Sequence, residues 1–213
     1  MAGTAESSAP PRRSFEPGAL SSRQRSQLLS SLVVPRPIGW VSTWSSPGVS
    51  NLAPFSYFAA LAASPMLVGV SIGHRPQGPK DTLVNIRARG AFCVNVVSDA
   101  LLEAMNTTSA EVPHGVDEFV LAGLARSVSL VVDAPYVTVA PAVLECRARQ
   151  EVELHGAPST LVIGEVVGIL LDASLPMVAD TLSVSPEALR PVGRLSGAAY
   201  AMPGEVRIIP RPH

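Results

Sequence analysis

Two short stretches hold the residue types that chemistry would need. Asn51-Leu-Ala-Pro-Phe-Ser-Tyr-Phe58 is dense in polar side chains and backbone groups. Gly78-Pro-Lys-Asp-Thr-Leu-Val-Asn-Ile86 sets Lys80, Asp81 and Thr82 at the mouth of an expected short helix. At a helix N-terminus the free N–H groups point outward, and the dipole favours an anion. Lys80 adds a point charge there and Thr82 a hydroxyl. Lys80 is also the only lysine, against fifteen arginines. A lone loop lysine is equally what a solvated surface residue looks like. Asp81 reads better as a helix cap than as an anion ligand. Together the two stretches describe an anion pocket beside an amide-rich platform, which a flavin phosphate and a flavin ring require side by side.

A flavin ring wants donors near N5, O4 and O2, acceptors near N3, and flat apolar packing. Ser42, Thr43, Asn51 and the backbone of Leu52 and Ala53 can supply the polar groups. Phe55 or Trp40 could pack the ring, although plain core packing is the commoner fate of both types. Ser56 could face the ring or the phosphate. Arg36 and Arg75 are candidate second cations, each beside a loop proline, and a surface role fits either equally well. His74 precedes Arg75 in the same loop, and His114 lies in a long loop that could cover a pocket. No nucleophile–base pair is visible: the serines lack a G-x-S-x-G elbow. The histidines (His74, His114, His155, His213) lack metal spacing. Cys93 and Cys146 sit in separate apolar contexts and read as buried free thiols.

The elements that must position these residues are mostly strands. A helix is expected over Arg23–Ser31, followed by the extended Val33-Val-Pro-Arg-Pro37. Ile38–Trp44 reads as a strand, Ser45-Ser-Pro-Gly48 as a hairpin turn, and Val49–Phe58 as a second strand broken or bulged by Pro54. Met66–Ile72 and Phe92–Val97 are further strands, with the loop Gly73–Pro79 between. Asp81 or Thr82 caps a helix to Arg89, ended by Gly90, with Leu83 and Ile86 inward. Ala100–Asn106 is a short helix and 107–118 a long loop. Glu145–Leu154 alternates charged and less polar residues over ten positions, with Glu145, Arg147, Arg149, Glu151 and Glu153 on a wet face. Thr160–Leu171 is apolar on both faces and so needs a cover outside the sheet, either a partner subunit or a packed segment. Strands with short inserted helices and no βαβ alternation predict a mainly β, closed antiparallel barrel. The absence of G-x-G-x-x-G and of G-x-x-x-x-G-K-[ST] argues against Rossmann and P-loop sites.

Composition narrows the classes further. The 213 residues are 47% apolar and 15% charged, with net charge −1. That balance carries no footprint for nucleic acid. No apolar run approaches the roughly 20 residues of a spanning helix. Residues 1–20 lack the apolar region of a secretory signal, so a cytoplasmic protein is expected. Low charge in a chain of this size points to apolar surface covered by a second copy. The expected layout is a disordered tail over 1–22, one domain over 23–205 and a C-terminal tail over 206–213.

Several motifs fall in a recognisable order. They are Pro35-Arg-Pro-Ile-Gly-Trp-Val-Ser-Thr43, Asn51–Phe58, Lys80-Asp-Thr-x-x-Asn-Ile86, Phe92-Cys-Val-Asn95, Asp117-Glu-Phe119, Glu145-Cys146, Ile163-Gly-Glu-Val166 and Gly193-Arg-Leu-Ser-Gly-Ala-Ala-Tyr200. This pattern resembles the flavin reductase-like family, nearest its flavoredoxin-type branch, over about residues 25–200. The resemblance implies an FMN-binding split barrel that forms a homodimer, with FMN near the subunit interface. It implies phosphate contacts from Lys80, Asp81 and Thr82 and from Ser42 and Thr43, and it sets Asn51 to Ser56 along the flavin. Ser71, Gly73, Arg75, Arg36 and His114 complete the implied cofactor-binding set; the family's Gly-x-Arg loop appears here as Gly73-His-Arg75. Electrons would pass from NAD(P)H through the flavin to free flavin or another small-molecule acceptor, with no protein acid or base required. Two other readings stay open at this point. One is an FMN-holding electron carrier that needs a partner protein; the other is a non-catalytic barrel holding flavin or haem, with His114 as a conceivable axial ligand.

Overall fold

The structure, a computed structural model, describes residues 10–45 and 48–212. The N-terminal nine residues, the Ser46-Pro47 centre of the expected hairpin turn and His213 lie outside the described residues. Helix α1 (Ser22–Leu32) is followed by strands β1 (Arg36–Pro37), β2 (Gly39–Trp44), β3 (Ser50–Phe55), β4 (Phe58–Ala63) and β5 (Met66–Gly73). Then come α2 (Asp81–Arg89), β6 (Ala91–Asn95), α3 (Leu102–Thr107), α4 (Glu118–Leu121), β7 (Arg126–Val128) and β8 (Pro135–Val137). The chain continues with β9 (Ala142–Glu153), β10 (Ser159–Leu171), α5 (Pro186–Leu189), β11 (Gly193–Arg194) and β12 (Tyr200–Ala201).

The protein is mainly β, and its strand pairs run antiparallel. Seven strands form one sheet in the order β3-β2-β6-β9-β10-β5-β4. That sheet curls, because Phe55 near one edge shares a core with Val68 and Val70 near the other. Val41, Phe92, Val94, Cys146 and Val162 fill the same core, and α2 plugs it with Leu83 and Ile86. No pairing joins β3 to β4 in that order, so the curled sheet is open at this seam. A second core gathers Ile38, Trp40, Leu52, Met105, Phe119 and Val137 on the other side of β2.

Several elements differ from those the sequence predicts. The expected strand Val49–Phe58 is β3, which ends at Phe55, and Phe58 already opens β4, a strand the sequence pattern does not predict. Pro54 neither breaks nor bulges β3, since it pairs in register with Trp40. It can do so because β3 is an edge strand, where the N–H that proline lacks is not needed. The strand expected over Phe92–Val97 is Ala91–Asn95, and the helix expected over Ala100–Asn106 is a 3-10 turn at Asp99–Leu101 leading into α3. Helix α2 ends at Gly90 in the left-handed region, φ 66°, as expected. Its N-cap, however, is Lys80, not Asp81 or Thr82, and no side chain caps it. Asp81 is drawn aside by Arg75 and His114, and the Thr82 hydroxyl is bonded to Asn51.

Glu145 does not belong to the wet face of β9. It is 2% exposed and accepts a hydrogen bond from the Ser129 hydroxyl. The register of β9 against β10 slips between Ile163 and Gly164 and again between Val166 and Gly168. Each slip turns part of a strand over, so the alternation read along β9 does not hold on one face throughout. The outer cover expected for β10 is, in part, a packed segment of the same chain. Val132 and Ala134 cluster with Ala91, Cys93 and Val143, and Val167 packs against them.

Candidate functional site

The two motifs do come together. Strand β3 and the start of α2 face each other across a narrow cleft lined by Asn51, Ala53, Pro54, Arg75, Lys80, Asp81, Thr82 and Glu118. Its other wall is the segment Thr108–Glu111. The cavity holds about 60 Å³, room for an anionic head group and not for a three-ring system.

Lys80 sits half-buried at the N-cap of α2, and its Nζ lies 5.8 Å from the centre of the Phe55 ring. A buried aromatic face under an ammonium group holds it by cation–π attraction. Among the described residues Lys80 has no carboxylate partner. Arg75 stands beside it, held in the loop where Arg75 and Gly78 exchange backbone hydrogen bonds of 2.8 and 3.0 Å. Arg75 Nη1 reaches Asp81 Oδ2 at 3.4 Å, and His114 Nδ1 reaches Asp81 Oδ1 at 2.8 Å. Asp81 thus steadies the flanking cation and the long loop.

Behind this rim lies a closed polar network. Thr82 Oγ1 donates to Asn51 Oδ1 at 2.8 Å, Thr43 Oγ1 donates to the same oxygen at 3.3 Å, and Asn85 Nδ2 donates to Thr43 Oγ1 at 3.0 Å. Asn51 Nδ2 donates to Glu118 Oε1 at 2.9 Å, and the Leu52 N–H donates to Glu118 Oε2 at 3.1 Å. Glu118 is 5% exposed. Burial pushes its carboxyl above the usual carboxylate range, against the opposing pull of the Leu52 and Asn51 donors, and the nearby Asp81 charge adds to the rise. No cation pairs with it among the described residues.

These facts sort the sequence candidates. Lys80, Arg75, Asp81, Asn51 and Ala53 line one cleft, and Thr82 reaches its edge. Thr43 is fully buried, and its hydroxyl serves the network behind the cleft. Ser42 points to the opposite side of β2, donating to the Pro135 carbonyl at 2.6 Å. The Leu52 N–H, expected to face a ring, is taken by Glu118. Arg36 is also elsewhere. The residue is 8% exposed, and its guanidinium donates to the carbonyls of Ser30, Val33 and Leu195 at 2.7, 3.2 and 3.0 Å. Ser56 and Ser71 join Arg36 along a larger apolar groove of about 560 Å³, with Tyr57, Phe58, Leu61 and Leu161. Gly73 closes β5, and His74 turns inward to Thr160 Oγ1 at 2.9 Å. Trp40 is core, its Nε1 donating to Thr108 Oγ1 at 2.9 Å.

Sequence reasoning passed over Glu118 as a functional residue, although its motif Asp117-Glu-Phe119 was in view. The available signal was an acidic residue between a helix-capping Asp117 and a core Phe119. Thiol chemistry has no support here: both cysteines are free and buried, burial pushes Cys146 up to about 12, and Cys93 moves the same way for the same first cause.

Comparison with known proteins agrees with this architecture. The sequence profile of the Flavin reductase like domain matches residues 30–181. An uncharacterised protein of Halalkalibacterium halodurans, BH2278, is 37% identical over 203 residues, 93% of this chain and 96% of the relative. Nitrilotriacetate monooxygenase component B from Bacillus cereus superposes with a TM-score of 0.90 at 31% identity, covering 94% of this chain and all of that one (100%). The 2-nitrobenzoate 2-nitroreductase NbaA of Pseudomonas fluorescens gives a TM-score of 0.85 at 28% identity, with 94% and 96% of the two chains covered. On its sequence and its fold alike, the chain belongs to the flavin reductase-like family.

Proposed function

We propose that this protein is an FMN-binding oxidoreductase that passes electrons from NAD(P)H to free flavin or another small acceptor, and that it works as a homodimer. The observation that carries this reading is Lys80. It is a half-buried cation with no carboxylate partner among the described residues, fixed over Phe55 at the N-terminus of a nine-residue helix and facing a head-group-sized cleft. The donor set suits a phosphate monoester: an ammonium group, a neighbouring guanidinium and the free N–H groups of the first helical turn. Lys80 and Arg75 would hold the phosphate, and Asn51 and Ala53 would line the approach to the ring. When bound, the flavin supplies the hydride and electron transfer. The protein's part is to fix the phosphate, keep β3 rigid through Glu118 and exclude water. The structural relatives named above, a monooxygenase component and a nitroreductase, support redox work on small molecules.

The cleft is too small for the ring, and a separate apolar groove is rimmed by exposed Leu29, Val33, Tyr57 and Leu61. A second copy seated on that groove would cover its apolar rim. Anaerobic titration tests the reading. The FMN-loaded protein should show flavin absorbance that bleaches on adding NADH or NADPH. Bound flavin that does not bleach would overturn the direct NAD(P)H step and leave an electron carrier. Lys80→Ala should weaken FMN binding about tenfold to a hundredfold, the scale of one charged hydrogen bond, with the fold intact. Unchanged affinity would remove Lys80 from the phosphate site.

A further inference from the structure

One motif has no place in the site described so far: Gly193-Arg-Leu-Ser-Gly-Ala-Ala-Tyr200. Its ends form β11 and β12, which pair Arg194 with Tyr200 and Gly193 with Ala201. The Arg194 guanidinium lies 4.5 Å from the centre of the Tyr200 ring and donates to the Gly197 carbonyl. The Tyr200 hydroxyl donates to Asn106 Oδ1 at 3.0 Å, which anchors the ring to α3. Arg194 pairs with no carboxylate among the described residues, so most of its five N–H donors are free to meet a ligand.

This pair closes one end of a second cavity of about 180 Å³, whose other walls are Ile38, Pro54, Ser56, Met105 and Ser109. The volume is below the 300–1,000 Å³ typical of pockets for drug-sized ligands, and suits a single ring. Walls that set Ile38, Pro54 and Met105 beside the Ser56 and Ser109 hydroxyls, with one cationic end, ask for a small flat body carrying one anionic group. Pro54 and Ser109 line this cavity and the Lys80 cleft alike, so the two spaces share a wall.

We propose that this cavity binds a small aromatic carboxylate, the carboxylate on Arg194 and the ring among Ile38, Pro54 and Met105. Its role as the acceptor subsite of a flavin enzyme rests on the function proposed above, whereas the binding itself does not. The shared wall sets such a molecule next to the cofactor cleft without using Lys80 or Arg75.

Calorimetric titration of benzoate into the full-length protein, with and without excess FMN, tests this. Benzoate should bind in both conditions, and benzamide, which lacks the charge, should bind about tenfold more weakly or worse. Arg194→Gln should lower benzoate affinity by a similar factor and leave FMN affinity unchanged. Ser109→Phe, which fills the cavity from its rim and keeps Arg194, should abolish benzoate binding. Inorganic phosphate should compete only weakly; equal affinity would show an anion site with no aromatic preference and overturn the proposal. Absent benzoate binding, equal binding of benzamide, or displacement of benzoate by FMN would each overturn it too. Arg194-dependent benzoate binding in a protein that does not retain FMN would sink the flavin reading and leave this site standing.

Discussion

Glu118 is the residue on which the cleft wall depends. Its two carboxylate oxygens accept from Asn51 Nδ2 and the Leu52 N–H, and Asn51 in turn receives Thr82 and Thr43. Glu118→Gln would turn an NH2 group towards one of those two donors. Leaving a buried donor unpaired costs about 1–3 kcal/mol. Because burial raises the Glu118 pKa, the unfolded chain releases this proton first as pH rises. Stability is then fully present below the ordinary carboxylate value and falls as pH rises towards the higher folded one. Urea unfolding of the wild type should therefore show this loss as pH rises above about 4.5, and the Gln variant should lack it; parallel pH profiles would refute the assignment. At this scale the sequence was informative about residue types and less so about what each type does. Lys80, Arg75 and Asp81 stood out by charge and motif. Thr43 and Arg36 also stood out, yet Thr43 serves a buried network and Arg36 three backbone carbonyls. A polar side chain that satisfies the protein's own groups looks, in sequence, the same as one that waits for a ligand.

Among the elements, β10 best shows why pattern alone falls short. Its apolar run on both faces was legible, but the need for glycine at its bulges was not. A Cβ on Gly164 would stand 2.9 Å from Phe92 Cε1 and closer still to Cζ, while Glu145 blocks a Cβ on Gly168. Those partners come from β6 and β9, more than fifteen residues away, where no local period reaches. Gly164→Ala should therefore push the fully buried Phe92 ring and cost about 1–3 kcal/mol. Gly73→Ala, with nothing within 4 Å of the added methyl, should stay within about 0.5 kcal/mol. Thermal or urea unfolding of the two variants decides the point, and equal stabilities would contradict the close packing. Strand β4 was missed for a different reason. Phe58-Ala-Ala-Leu-Ala-Ala63 has no alternation and a composition that favours helix, and only pairing with β5 makes it a strand.

At the scale of the whole molecule, the open seam and the apolar groove point outward together. Leu61 is 47% exposed and lines the groove with Leu161. If a second copy covers this face, Leu61→Asp should give a folded monomer in size exclusion with light scattering, where the wild type runs as a dimer; a wild-type monomer, or a dimeric variant, would reject that interface. No described helix is long and apolar enough to cross a membrane. The cation that the sequence suggested for a ligand, Arg36, has a different reach. By holding Ser30 and Val33 on one side and Leu195 on the other, it works as a clasp between the two ends of the chain. Opening one end strands a buried charge at the other, so the termini should fray in concert. A chain cut before Gly193 should therefore show faster amide exchange in α1, a helix that ends about 160 residues before the missing segment.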